Sequence, residues 1–521
     1  MTQPSSSAPV AATTHGRVEG LVVDSALTFK GIPYARAQRF MPPVAPEAWG
    51  GVRPAVSFGA SALQTNANPP PGPPAVILPQ ISQPEGASPP PPPPPESENC
   101  QYLNVWTSGL RDGGKRPVMV WLHGGFFYGG SGSTVDGSAL AGRGDVVVVS
   151  VNHRLNVFGF CDLRDFGDEF AHSGNAGMLD IIAALEWVRD NIEEFGGDPE
   201  RVTVFGTSGG GMKAAFLMAS PVAKGLFHRV AAHSGPGLRF MEPERSRAAT
   251  EMLFRELGLS SGDVGALLKM PSDRLLAAYH AVAAALKPAR FTDLASFAPV
   301  IDPDLLPRHP FSPDAAPLTR EVPMILGWNA QEMTFFMGND PEGFELDEGG
   351  LEARMEALFA SKAAEILSLY RAAFPGISPS RLWVQAYSDY SVMAPVIAQA
   401  ERRVASQGAP TWLYRLDFQS PALGGRLGAL HTLEGNLLFN QPQRGRALLG
   451  DGPEPVGLAH VMSSAWVRFA TEGDPNGAEG LPAWPTFELS EREVMRFDTQ
   501  CSAVSDPDAD IRRAMSALLV E

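Results

Sequence analysis

Val202-Thr-Val-Phe-Gly-Thr-Ser-Gly-Gly-Gly211 decides how this chain folds. β-Branched and aromatic residues up to Phe205 read as a buried strand, which breaks off in Gly206-Thr207-Ser208-Gly209-Gly210. A Gly-x-Ser-x-Gly run between a strand and a helix is a sharp elbow that lifts a serine hydroxyl above a sheet edge. The serine of such a turn is held in strained backbone geometry, so side chains two positions to either side would collide unless they are glycine. The run alone is common in glycine-rich loops. Here Met212-Lys-Ala-Ala-Phe-Leu-Met-Ala219 follows with helical composition, so the strand and the helix that give it meaning are both present.

Working outward, Val118-Met-Val-Trp-Leu122 and Val146-Val-Val-Val-Ser-Val151 are near-continuous apolar runs, the pattern of strands buried on both faces. Met178, Ile181, Ile182, Leu185, Val188 and Ile192 recur at helical spacing between Gly177 and Gly196. Arg229 to Ala232, Pro323 to Gly327 and Thr411 to Leu416 read as further strands with helical stretches between them. This alternation predicts an α/β fold with a doubly wound, mostly parallel central sheet. Mainly helical insertions near 240–320 and 340–408 are expected to cap its active edge, within a single domain spanning 16–521. Gly16 to Gly59 reads as a small antiparallel β segment. Residues 1–15, rich in Ser, Ala, Thr and Pro, read as a disordered tail rather than a signal peptide. Residues 66–95 hold no aromatic residue and end in an unbroken proline run, so an extended, partly polyproline II loop is expected.

The 521 residues are 44% hydrophobic, ample for a large core, and carry a formal charge of −16. That balance and the lack of a basic patch argue against nucleic-acid binding. No apolar run approaches membrane-spanning length, and the cytoplasm is the expected compartment. Cys100, Cys161 and Cys501 are far apart in sequence. Zinc-ligand spacing is therefore absent, no metal or cofactor is expected, and the thiols are expected to be buried and free.

A serine hydroxyl needs a base, an acid to orient the base, and donors for the oxyanion. In hydrolases built around this elbow the acid and then the histidine follow the serine. Only His431 and His460 lie beyond the plausible acids. His460 falls in a helix-like stretch, whereas His431 follows the strand at 411–416 and the loop Gly424-Gly-Arg-Leu-Gly428, so His431 is favoured. Asp302, Asp304 and Asp389 are open as acids. Glu332 stands out because it follows the strand ending at Gly327, although it could instead cap the segment Met333 to Phe336. Leu122-His-Gly-Gly-Phe-Phe-Tyr-Gly129 runs from a strand into adjacent glycines and is the expected source of oxyanion-binding amides.

These stretches, with Phe29 to Ala35, Glu98 to Val105, Asn152-His-Arg154, Gly174 to Asp180, Leu185 to Ile192, Phe195 to Pro199, Gly327 to Phe336 and Trp466 to Ala470, resemble type B carboxylesterases. The resemblance covers the chain from residue 16 and implies the α/β-hydrolase fold and hydrolysis of carboxylic esters through an acyl-enzyme. It implies Ser208 as nucleophile, Glu332 as acid, His431 as base, and amides of Gly125, Phe126 and Gly209 as oxyanion hole. Glu434 and Ser234 match helper positions, and Arg39 with Glu98 and Arg154 with Asp180 match structural ion pairs. The family usually carries Glu and Ala where this chain has Thr207 and Gly209, and a cysteine upstream of Cys100 that this chain lacks. Three glycines after the serine should loosen the helix start by about 0.5–1 kcal/mol each.

Phe126, Phe127, Phe335 and Phe336 are candidate walls for an apolar acyl or alcohol group. A choline ester is disfavoured because residues 59–99 hold no aromatic to bind an ammonium. The expected partner is a small-molecule ester, with no nucleic acid or membrane involved and a monomeric state. Hydrolysis of carbamates, lactones or aryl amides by the same groups is the alternative, and a non-catalytic binding member is a third.

Overall fold

The computed structural model describes residues 8–64, 92–286, 293–337 and 340–519. Among these, eleven strands form one sheet. Its centre runs Glu493–Phe497, Thr411–Leu416, Met324–Asn329, Arg229–His233, Gly197–Thr207, Arg116–Leu122 and Val147–Val151, every neighbouring pair parallel. Antiparallel strands close both edges: Ser502–Ser505 on one side, and Tyr102–Thr107, Ala26–Pro33 and Leu21–Val23 on the other.

Alternation along the buried strands builds two cores. Val118, Val120 and Leu122 pack into the core on one face, Met119 and Trp121 into the core on the other. That is the continuous apolar pattern expected of a sheet with helices on both sides. Helices Ala176–Asn191 and Gly209–Ala219 contribute to the first core, while Pro453–Glu472 contributes to the second. The strand order reverses around Arg116–Leu122, which pairs with Val147–Val151 on one side and Gly197–Thr207 on the other. A crevice opens at such a switch point at the carboxyl ends of the strands, and Leu122, Thr207 and His233 end there.

Three expectations need correction. The amino-terminal segment is not disordered throughout: Val10–Thr13 pairs antiparallel with Gly16–Glu19, Ala11 is buried, and Thr14 N–H donates to Asn191 Oδ1 at 2.7 Å. A short apolar alternation anchored to the end of a buried helix is enough to order it; residues 1–7 lie outside the described residues. Of the insertion at 240–320, Pro243–Glu256, Val264–Leu268 and Ser272–Ala285 are helical, but 293–316 carries no helix. Pro299, Pro303, Pro307, Pro310 and Pro313 each remove a helix donor there. Cys100 and Cys161 are buried free thiols as expected, but Cys501 is only half-buried.

The insertion at 340–408 is helical, with Glu348–Phe359, Ala363–Ala373, Pro379–Ser388 and Ala394–Ala405. Most of the proline-rich stretch, residues 65–91, lies outside the described residues; at its end Pro95 accepts a backbone bond from Ser61. The ion pairs Arg39–Glu98 and Arg154–Asp180 both form, the second fully buried at 2.7 Å.

Candidate active site

Ser208 has φ 59° and ψ −124°, a conformation side chains rarely adopt, between the end of one strand and the start of the helix Gly209–Ala219. Its N–H donates to the His233 carbonyl at 2.7 Å, and its own carbonyl accepts from Gly211 and Met212. The glycines around it are demanded by backbone, not by preference. A Cβ on Gly206 or Gly210 would lie 2.4 or 2.1 Å from the Leu122 carbonyl oxygen, and one on Gly235 would lie 2.0 Å from that of Ser208. The run of glycines expected to loosen the helix is thus what lets three backbone segments meet at the serine.

The loop after Leu122 closes on the same point. Gly125 and Phe126 both have positive φ, 83° and 49°, and Gly125 O accepts from Tyr128 and Gly129. A Cβ on Gly209 would fall 2.4–2.5 Å from the backbone of Phe126. The segments carrying the Gly125, Phe126 and Gly209 amides are therefore in direct backbone contact. Gly209 also opens a helix, where amides have no intrahelical partner.

On the facing side, His431 Nδ1 lies 2.5 Å from Glu332 Oε2, and both side chains are buried. Glu332 Oε1 accepts from the Asn329 backbone at 2.7 Å, so its carboxylate orients a histidine instead of capping the following helix. His431 Nε2 is buried and has no hydrogen-bond partner among the described residues. Asn329 Nδ2 also donates to Glu434 Oε2 at 2.8 Å and to the Leu430 carbonyl at 2.7 Å. Glu434 Oε1 accepts the hydroxyl of Thr207 at 2.6 Å. That bond joins the residue before Ser208 to the loop of His431. Burial holds the Glu434 carboxyl above its ordinary range, and the nearby Glu332 charge adds to that.

The other acids lie elsewhere. Asp302 and Asp304 flank His172, at 3.2 and 3.9 Å, and Asp389 accepts from Tyr370 and Gln385. The three residues His172, Asp302 and Asp304 could share a cation, but both imidazole nitrogens already face carboxylates. His460 is a half-exposed surface residue paired with Glu479. Ser234 has φ 49° and a buried hydroxyl with no hydrogen-bond partner among the described residues.

A sequence profile of the carboxylesterase family matches residues 7–512. The chain belongs to that family. A para-nitrobenzyl esterase of Bacillus subtilis is 34% identical over 97% of this chain and 98% of its own length. A phenmedipham hydrolase of Pseudarthrobacter oxydans is 34% identical over 98% and 97%. Among solved structures, a Geobacillus stearothermophilus carboxylesterase superposes with a TM-score of 0.80 at 34% identity, covering 97% of this chain and 99% of that one. This carboxylesterase therefore has the α/β-hydrolase fold and is a serine hydrolase of carboxylic esters.

The aromatic candidates divide. The ring centroids of Phe335 and Phe336 lie 5.8 and 5.0 Å from that of His431. Phe336 also lines a cavity of about 450 Å³ with Met333, Met337, Trp383 and Tyr387. Phe126 stacks on the exposed Tyr128. Phe127 instead belongs to the core, edge-on to Phe160 and Phe240. Asn329 escaped the sequence reading: a lone Asn at a strand end carries no local signal of the three bonds it makes.

Proposed function

We propose that Ser208 attacks the ester carbonyl while His431 Nε2 takes the hydroxyl proton, and that Glu332 holds the imidazole and stabilises its protonated form. The amides of Gly125, Phe126 and Gly209 receive the developing oxyanion. Collapse expels the alcohol, which takes the proton back from His431, and water then releases the acid from Ser208 by the same route reversed. The reading needs no metal or cofactor. Glu434, held by Thr207 and Asn329, and Ser234, packed beside the elbow, act as supports.

The observation that carries the proposal is the held histidine: Nδ1 is bonded to Glu332, and Nε2 is buried with no partner among the described residues. Phe335 and Phe336 beside that imidazole support an uncharged ester with an apolar or aryl group as substrate. No helix of the described residues is long and apolar enough to cross a membrane. The proposed enzyme is a cytoplasmic monomer built as one domain that includes Val10–Thr13. Ser208→Ala should lower turnover of p-nitrophenyl butyrate by about 10⁶. Undiminished turnover removes Ser208 from the scheme. Carbamate, lactone and anilide substrates in the same assay would show whether esters are preferred.

A further inference from the structure

Lys213 lies five residues after Ser208 on the same helix and is fully buried. A lysine in that state is rare without a carboxylate partner, and among the described residues no ion pair includes it. Its Nζ makes one hydrogen bond, donated at 2.8 Å to the carbonyl oxygen of His123. The Phe127 ring lies 5.8 Å away, and the imidazoles of His123 and His153 stack 4.8 Å apart nearby. All three are bases, and burial pushes each well below its ordinary range, with Lys213 lowering both histidines further. Arg154 adds to the lowering at His153. An apolar side chain of similar length would avoid the desolvation cost of this amine.

Among the described residues, the hydrogen-bond acceptor of that amine is the carbonyl immediately before Gly124-Gly125-Phe126. We infer that Lys213 is a positioning residue, whose bond to the His123 carbonyl fixes the Gly125 and Phe126 amides relative to Ser208. This rests on the oxyanion assignment proposed above. A neutral amine suffices, because one N–H to a backbone carbonyl holds the loop without adding a charge beneath it. The folded-state value lies below the ordinary value of 10.5, so the stability tied to this group is complete above that pH and is lost as pH falls. Lys213 therefore weakens the fold at neutral pH while ordering the loop.

The test compares Lys213→Met with the unchanged enzyme by p-nitrophenyl butyrate kinetics, inhibition by an alkyl trifluoromethyl ketone, and thermal midpoints at pH 7 and 9.5. The ketone accepts the serine and places an oxyanion where the ester would. The variant should lose about tenfold in kcat, a fraction of the 10²–10³ lost with a donor outright. KM should stay within twofold, and ketone affinity should fall by about the same factor as kcat. Its midpoint should be equal or higher, with the larger gain at pH 7. Unchanged kcat and ketone affinity in a folded variant would overturn the inference, as would a rise in KM alone with a lower midpoint. Should Lys213→Met not fold, Lys213→Leu, which also lacks a donor, is read by the same two numbers, and wild-type values for both would overturn it equally. If the ketone binds the unchanged enzyme no better than the corresponding methyl ketone, the oxyanion assignment has failed, not the role of Lys213.

Discussion

The two sides of the site are built by different means. On the elbow side, Leu122 to Phe126, Gly206 to Gly210 and Gly235 interlock through backbone, with no space for a side chain at the contacts. On the acid–base side, Asn329, Glu332, His431, Glu434 and Thr207 are joined by buried side-chain hydrogen bonds. The first side should be intolerant of added volume and the second of lost donors. Gly435, one residue beyond Glu434, makes the contrast plain: a Cβ there would meet nothing within 4 Å.

The largest expected effect is on the acid–base side. Glu332→Gln keeps the shape but turns an amide N–H donor toward His431 Nδ1, which favours the tautomer with its proton on Nε2, and should lower kcat on the order of 10⁴. A comparable loss in Asp304→Asn with little loss in Glu332→Gln would move the acid elsewhere. On the elbow side, Gly210→Ala forces a Cβ to within 2.1 Å of the Leu122 carbonyl, and one of the two backbones must move. Displacement near 1 Å costs about 10² in rate. Gly435→Ala should by contrast leave kcat unchanged, with a gain in stability of about 0.4–1 kcal/mol. If both alanines behave alike in steady-state kinetics and thermal melts, the contrast between the two sides is wrong.

The elbow side was almost fully legible in the sequence, because close approach of backbones leaves glycine as its mark. The strand, the turn and the two glycines flanking Ser208 follow from one run of letters. The acid–base side was legible only in its order along the chain. Glu332 competed with Asp302, Asp304 and Asp389, since a carboxylate is typed by what it faces and not by its neighbours in sequence. The helices of 243–285 were read too far because local apolar spacing outweighed five prolines. Val10–Thr13 was missed because its partners are a strand and the helix end at Asn191, contacts that only the tertiary fold supplies.

A smaller effect should follow from Thr207→Val, which removes the hydroxyl donated to Glu434 Oε1 without changing shape. Leaving a buried carboxylate oxygen short of a partner costs about 1–3 kcal/mol. Burial already raises the Glu434 carboxyl, and losing a donor raises it further. The melting temperature should fall and kcat should drop only a few-fold, because Asn329 still holds Oε2. Unchanged stability in Thr207→Val would show that the acid–base side does not depend on this bond.

The smallest effect reaches the same side from behind. Gln385 Nε2 donates to the Ala330 carbonyl, two residues before Glu332, and to Asp389 Oδ1, while Tyr370 donates to Asp389 Oδ2 at 2.7 Å. Burial pushes the Asp389 carboxyl up to about 7 from an ordinary 3.8. Between those values the folded chain holds a proton that the unfolded chain has released, so this group's stabilisation is present below the lower value and is lost as pH rises through the upper one. Asp389→Asn has no proton to lose and can still accept from Tyr370. Urea midpoints measured at pH 5 and pH 8 should therefore differ less in the variant than in the unchanged enzyme, with the variant relatively better at pH 8. An identical pH dependence in the two would mean that Asp389 is ionised in the folded state, and that the support behind Glu332 is a charged one.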